Sequence, residues 1–513
     1  MSKSTITIDP VTRIEGHLGV HVEQEDGTVT EARCSGTLFR GLESIMGGRD
    51  PRDAPILTQR ICGVCPQAHA TASARALDEA YGVADQVPAN GRLLRDILLG
   101  ANFLQSHVLH FYHLAALDYV DVTAVQKYSG NDSDLQAVKN FLSRGNAQPF
   151  VPRYEGDYRL EPDENVAATK HYVEALDVRR NAHELLALFG GKMPHQCTVN
   201  VGGVGTEVTS DKVMRALSYV EDILEFVNTA YLPDILLAAE RYPDYLKIGA
   251  GCSRFLSYGG LDSTGDPMFS SGILTPDNEF VAFDRDKIRE EISSSYYAGE
   301  SESNTPFDST SVPDAEKDGA YSWLKSPRYD GKPCEVGPLA RMMIGYAAGN
   351  KAVKPAVEGL LEKTGLQPVQ LNSTLGRHAA RALETKLMAE AMREWIMALE
   401  PGASCTLGLD VPESGRGAGL TEAPRGALSH WATIEDGELA NYQCVVPTTW
   451  NGSPRDNQNV PGPIEQAIEN ETIKDLDNPF EVVRIIRSFD PCLACAVHLQ
   501  RPKGELRLEL PIK

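Results

Sequence analysis

Ten cysteines are spread over 513 residues, and four of them form two pairs at one spacing. Cys62 and Cys65 stand in Arg60-Ile-Cys-Gly-Val-Cys-Pro-Gln-Ala-His69, and Cys492 and Cys495 in Asp490-Pro-Cys-Leu-Ala-Cys-Ala-Val-His498. Thiolates are soft ligands, and a two-residue gap lets both sulfurs of a pair face one ion. The pairs lie 430 residues apart, whereas zinc-ribbon knuckles usually lie within about 15–20 residues of each other. Closing so long a loop adds little entropy cost over a short one, but a whole domain must be built around it. The pattern points to a buried metal centre where the two ends of the chain meet. Structural zinc is the plainest occupant of four cysteines.

The elements that must carry these residues are partly visible. Residues 4–40 alternate polar and apolar around Asp26-Gly27 and read as a hairpin-like pair of strands. Leu42 to Met46 leads into a loop. Pro66 breaks the chain after Cys65, and the Ala-rich stretch 68–80 is helical. Apolar spacing predicts long helices over 90–119, 166–190 (ending at Gly190-Gly191) and 211–241, and further helices over 338–365 and 375–400. Residues 254–334 are Gly-, Ser- and Asp-rich and read as a surface insertion, partly loop. Residues 434–450 suggest strands turning at Asp436-Gly437, and 454–480 a polar loop. His107, His110 and His113 share one helix face, but the helix is apolar and they read as satisfied core histidines. Gly202-Gly-Val-Gly-Thr206 fits no full nucleotide signature.

Composition is that of an ordinary globular protein, 42% hydrophobic and 23% charged. The net charge of −22 argues against nucleic-acid binding. No apolar run reaches the ~18 residues of a membrane-spanning helix, and the first residues lack the apolar core of a signal peptide. Taken alone, the polypeptide reads as cytoplasmic. Cys34, Cys197, Cys252, Cys334, Cys405 and Cys444 are scattered singly and read as small buried hydrophobes.

The two cysteine motifs resemble the N- and C-terminal signatures of the large, catalytic subunit of nickel–iron hydrogenases. Asp9-Pro-Val-Thr-Arg-Ile-Glu-Gly-His17, Phe39-Arg-Gly-Leu-Glu43, His110-Phe-Tyr-His-Leu114, Gly190-Gly-Lys-Met-Pro-His195, Gly337-Pro-Leu-Ala-Arg341 and Glu422-Ala-Pro-Arg-Gly426 agree with the family along the chain. The ending at Cys-Ala-Val-His498 is similar to the nickel–iron–selenium branch, which carries selenocysteine where this chain has Cys492. The resemblance implies an α-rich α+β fold: a large helical core with small N- and C-terminal β elements meeting around a buried metal site. It implies one interwoven domain over 1–498.

It further implies nickel held by four thiolates, Cys62 and Cys492 terminal, Cys65 and Cys495 bridging to an iron that carries carbon monoxide and cyanide. Dihydrogen is apolar and a very weak acid, so splitting it heterolytically needs an electron-rich metal and a base within hydrogen-bond reach. Cys492 matches the first proton acceptor and Glu15 the relay, since a buried carboxyl has a raised pKa. The bland alternative for Glu15 is a salt bridge with Arg13. Arg425 matches the arginine over the metals, and Asp490 could pair with it. Pro447 and Thr448 match positions that contact the cyanides, and His69 could donate to the Cys65 sulfur. Glu43, His498 and the backbone carbonyl of Cys444 match a magnesium (sometimes iron) site.

Residues 499–513 resemble the extension that a maturation protease removes after nickel-insertion proteins have acted; a permanent edge strand is the alternative. The chain lacks cysteines for iron–sulfur clusters, so the resemblance implies an iron–sulfur small subunit as electron partner. Many such large subunits cross the membrane folded with that partner, which implies a periplasmic site. A hydrogen sensor and a metal-free descendant like the quinone-binding subunit of respiratory complex I are the rival readings. The four intact cysteines argue against the second.

Overall fold

A computed structural model describes residues 3–144, 148, 150, 157–299 and 304–496. The first sheet has three antiparallel strands rather than two, Lys3–Ile8, Leu18–Glu25 and Thr28–Gly36. The Asp26-Gly27 turn joins the second and third. The first strand returns through Asp9 to His17, and this irregular connection reaches the metal centre. Leu42–Met46 is a short helix.

Pro66 opens a helix rather than breaking the chain. It stands in the first turn of Pro66–Ala80, where a missing N–H costs nothing. That helix lies against a second three-stranded sheet, Gly415–Ala423, Gly426–Glu435 and Glu438–Val445. Its first strand falls outside the predicted elements, because Gly415, Gly417 and Gly419 disfavour strands locally. Tertiary packing overrides this. A Cβ on any of these three glycines would intrude on the carbonyl oxygens of Ala80, Ala76 and Ala72 respectively, well inside the 3.0 Å that real Cβ atoms keep. Bare strand backbone lies on bare helix backbone.

The helical core is close to the expected one, with two π-helical irregularities; the expected 338–365 segment is two helices, Pro338–Ala347 and Val353–Thr364. Ala89–Val108 runs on into a π-helical turn, Leu109–Ala115. Ser210–Phe226 and Leu232–Arg241 are likewise joined through a π turn, Val227–Tyr231. Pro162–Gly190 packs on both Ala89–Val108 and Ser210–Phe226, and Thr374–Met397 crosses the group. Extra residues in such turns often mark functional sites. His107, His110 and His113 pack into the helical core as expected but are only half satisfied: their Nε2 atoms reach Glu384 at 2.8 Å, the Arg487 carbonyl at 2.6 Å and the Tyr172 carbonyl at 3.2 Å, while each Nδ1 is buried without a partner among the described residues. Val201 and Gly202 turn a small hairpin, Val199–Asn200 with Gly203–Val204.

Residues 254–334 are not a surface insertion. Leu256, Ile273, Ile288 and Tyr329 are buried in a second core with Trp431 and Trp450. Charged residues of this stretch also enter buried ion pairs: Arg328 with Asp456 at 2.7 Å and Lys325 with Glu290 at 3.2 Å. The stretch 454–480 likewise carries a helix, Pro463–Ile468. All ten cysteines are free thiols; Cys197 is exposed, not buried. Among the described residues no helix is long and apolar enough to cross a membrane.

Candidate metal centre

The cysteine pairs are brought together by hydrogen bonds between the chain's two ends. The Leu493 N–H donates to the Glu15 carbonyl at 2.8 Å. Gly16, at φ +81°, allows this approach, because a Cβ there would meet Leu493 at 2.8 Å. Arg40 donates to the Ile61 and Ala494 carbonyls, stapling one cysteine motif to the other. Arg487 reaches the Thr12 carbonyl at 3.0 Å and Asp118 at 2.6 Å. Asn102 and Gln105, one turn apart on a helix, both donate to the Val64 carbonyl, at 2.9 and 2.6 Å. They fix the loop between Cys62 and Cys65, whose Val64 N–H donates to Cys62 Sγ at 3.2 Å.

The four sulfurs lie within 4.8 Å of one another, all buried. Cys62 is 3.4 Å from Cys492, and Cys495 is 3.1 Å from both Cys65 and Cys492. Hydrogen bonds from Cys492, Cys495 and Cys65 hold Cys62 well below the usual thiol range, while burial pushes Cys492 and Cys495 up. Ligation by a cation resolves that competition, since a bound metal deprotonates thiols outright.

A small cavity opens beside the sulfurs. It touches Cys65, Cys492 and Cys495 but not Cys62, and Pro447, Thr448, His69 and Arg425 complete its wall. This suits a second metal on one side of the set. Thr448 also holds the ligand loop, its Oγ1 accepting the Cys492 N–H at 2.9 Å. His69 Nε2 is 3.4 Å from the sulfur of Cys495, where the sequence reading set it against Cys65. Behind it His69 Nδ1 meets His430 at 3.0 Å, and His430 meets the Tyr442 hydroxyl at 2.7 Å.

Arg425 sits at the tip of a two-residue hairpin closed by Ala423 and Gly426. Its Nη2 donates to Asp490 Oδ1 and its Nε to the Asp490 carbonyl, both at 2.9 Å, and its Nη1 to Ser106 Oγ at 3.2 Å. Burial opposes its charge, but Asp490 and then the sulfurs of Cys492, Cys65 and Cys62 outweigh it. Asp490 pairs with Arg425 as the sequence suggested. Glu15 is not bound to Arg13, which pairs with Asp118 instead. Glu15 Oε2 accepts from Cys492 Sγ at 3.1 Å and from the Ala494 N–H at 2.9 Å. Burial, then the Cys62 charge, push its carboxyl above the ordinary range.

Glu43 and Cys444 are also adjacent, but through the Cys444 N–H, which donates to Glu43 Oε1 at 2.9 Å. Ser311 donates to the other oxygen, and Lys325 stands 3.9 Å away. His498 and the tail 499–513 lie outside the described residues.

A family model described as nickel-dependent hydrogenase matches residues 40–498, and a HoxL-like model matches residues 5–35. The chain is 40% identical to the periplasmic NiFeSe hydrogenase large subunit of Desulfomicrobium baculatum, over 97% of this chain and 95% of that one. It is 36% identical to the hydrogenase-2 large chain of Escherichia coli strain K12, over 97% and 98%. The solved structure of the Ni-Fe-Se hydrogenase from D. vulgaris Hildenborough in the reduced state superposes with a TM-score of 0.88 at 41% identity, covering 97% of this chain and 100% of that one. Four converging thiols with a cavity on one side suit nickel and iron together. The chain belongs to the nickel-dependent hydrogenase large-subunit family and is the catalytic large subunit of a nickel–iron hydrogenase.

Proposed function

We propose that Cys492 and Glu15 form the proton exit of this hydrogenase, with Arg425, held by Asp490, facing the site of H2 cleavage. The observation that carries this is the Glu15 carboxylate 3.1 Å from Cys492 Sγ. Cys62, Cys65, Cys492 and Cys495 would hold the nickel, and Cys65 and Cys495 would also serve the iron. When bound, this metal pair supplies an electron-rich site at which dihydrogen is split heterolytically, and the iron's other ligands are carbon monoxide and cyanide. The Cys492 sulfur takes the proton and passes it to Glu15 Oε2. The raised pKa of that carboxyl suits a group that must bind and release a proton in turn. Arg425 offers N–H groups over the cavity, and Pro447 and Thr448 line the same cavity, where they would contact the iron's diatomic ligands.

Glu43, the Cys444 carbonyl and His498 would hold a magnesium (or iron) ion. The Glu43 carboxylate stands beside Cys444, whose N–H it accepts, which supports this reading. Electrons leave to an iron–sulfur small subunit, because the six remaining cysteines are dispersed through the chain. The relative named periplasmic supports a periplasmic site, reached together with that subunit. Residues 499–513 are a maturation peptide removed after nickel insertion, and 1–498 form one interwoven domain.

The test is Glu15→Gln in the matured enzyme. Hydrogen oxidation falls by a factor of about 100 or more, the usual worth of a positioned proton acceptor, with nickel and iron content unchanged. Retained turnover overturns the assignment.

A further inference from the structure

The motif Gly337-Pro-Leu-Ala-Arg341 has so far no role. Its arginine is fully buried on the helix Pro338–Ala347. Arg341 Nη1 donates to Glu422 Oε2 at 2.6 Å and to the Ala423 carbonyl at 2.9 Å, and Nη2 to the Pro424 carbonyl at 3.0 Å. These three acceptors precede Arg425 in an unbroken run and include half of the hairpin tip. On its other side Arg341 grips Glu384 through Nε at 2.7 Å and Nη2 at 2.6 Å. His107 holds the same carboxylate at 2.8 Å. Phe103 and Phe269 cover the guanidinium from 5.1 and 5.0 Å.

The other end of the motif meets the same tip. Gly337, at φ +125°, lies where a Cβ would stand 3.0 Å from the Arg425 carbonyl. Gly426 (φ +133°) packs back on Gly337 so closely that its own Cβ would meet the Gly337 nitrogen at 2.7 Å. We infer that Gly337–Arg341 is a cradle for the hairpin tip, and that Arg341 is a positioning residue that sets where the Arg425 guanidinium stands over the metals. A planar five-donor fork can hold a carboxylate on one side and two carbonyls on the other at once. A lysine has the charge but not the fork. The inference rests on the proposed role of Arg425.

The experiment is a double-mutant cycle on the matured two-subunit enzyme, with Arg341→Lys, Arg425→Lys and the pair. Arg341→Lys lowers kcat for hydrogen oxidation about tenfold with KM for H2 within twofold, and shifts the infrared bands of the diatomic ligands. In the Arg425→Lys background Arg341→Lys has no further effect on kcat or on those bands, because the group it positions is gone. If it costs the same tenfold there, Arg341 supports the fold alone and the inference is overturned. If Arg425→Lys leaves kcat and spectrum untouched, it is the role of Arg425 that falls. Should Arg341→Lys not assemble, Glu384→Gln weakens the grip from the far side and gives the same non-additive pattern; additivity there refutes the inference equally.

Discussion

The bare contact between the Gly415–Ala423 strand and the Pro66–Ala80 helix sets the distance between two halves of the metal centre. The helix carries Cys65 and His69 at its start, and the strand leads to Arg425. Gly419→Ala places a methyl against the Ala72 carbonyl where no Cβ fits, so helix and strand separate by ~1 Å or the strand bends. Overpacking of this kind costs about 1–3 kcal/mol. With an unfolding entropy of about 2.1 cal/mol/K per residue, the 513-residue chain loses only about 1–3 °C in Tm. Ala72 is about 10 Å along the helix from Cys65 at 1.5 Å per residue. A displacement of ~1 Å so near reacting groups can cost about 100-fold in rate. Gly415→Ala is the matched control, the same intrusion at the Ala80 carbonyl, about 22 Å from Cys65. The assay is turnover per bound nickel, with Tm by calorimetry. Gly419→Ala loses at least about tenfold and Gly415→Ala stays within about threefold, at similar Tm. Equal losses, or full turnover in Gly419→Ala, refute the idea that this contact positions the site.

Burial pushes the Glu465 carboxyl from 4.5 up to about 8, so the folded chain holds a proton that the unfolded chain gives up. The resulting stability is complete below about pH 4.5 and is lost as pH rises through 8, an effect on the order of a few kcal/mol. Melting curves from pH 5 to 8.5 decline more steeply for the native protein than for Glu465→Gln; parallel curves refute the assignment. Thr448→Val leaves the buried Cys492 N–H unpaired, a cost of about 1–3 kcal/mol, and speeds nickel loss to a chelator. Arg40→Ala removes the staple between the two cysteine motifs and lowers nickel content at maturation, read by elemental analysis. Stoichiometric nickel in that variant shows that the backbone bonds of Glu15 suffice.

The ligand set was legible because its signal is local: two residues of spacing decide whether two sulfurs face one ion. Asp490 with Arg425 and Glu15 near Cys492 followed from family-matched motifs. Less legible was whatever depends on a partner distant in sequence. Gly415, Gly417 and Gly419 look like loop residues until an alanine helix is laid on them. The Gly-, Ser- and Asp-rich run 254–334 looks like surface until Leu256, Ile273 and Ile288 find Trp431 and Trp450. His69 is nearest in sequence to Cys65, yet its Nε2 faces Cys495, because the helix turns that ring toward the C-terminal loop. Nothing in the spacing of Gly337 to Arg341 signals that its arginine holds a hairpin tip some eighty residues further on.

The ligands of one centre lie 430 residues apart, and that separation is also a delay. At about 5–20 residues per second, synthesis of Cys492 follows that of Cys62 by about 20–90 s. Throughout that interval the N-terminal thiols exist without their partners, and one pair cannot define a four-sulfur site. A metal ion captured early would be held by half a ligand set. Selectivity for nickel is then a question of when the ion is offered as much as of which ligands receive it, and synthesis of the segment that carries Cys492 and Cys495 decides when the centre can close.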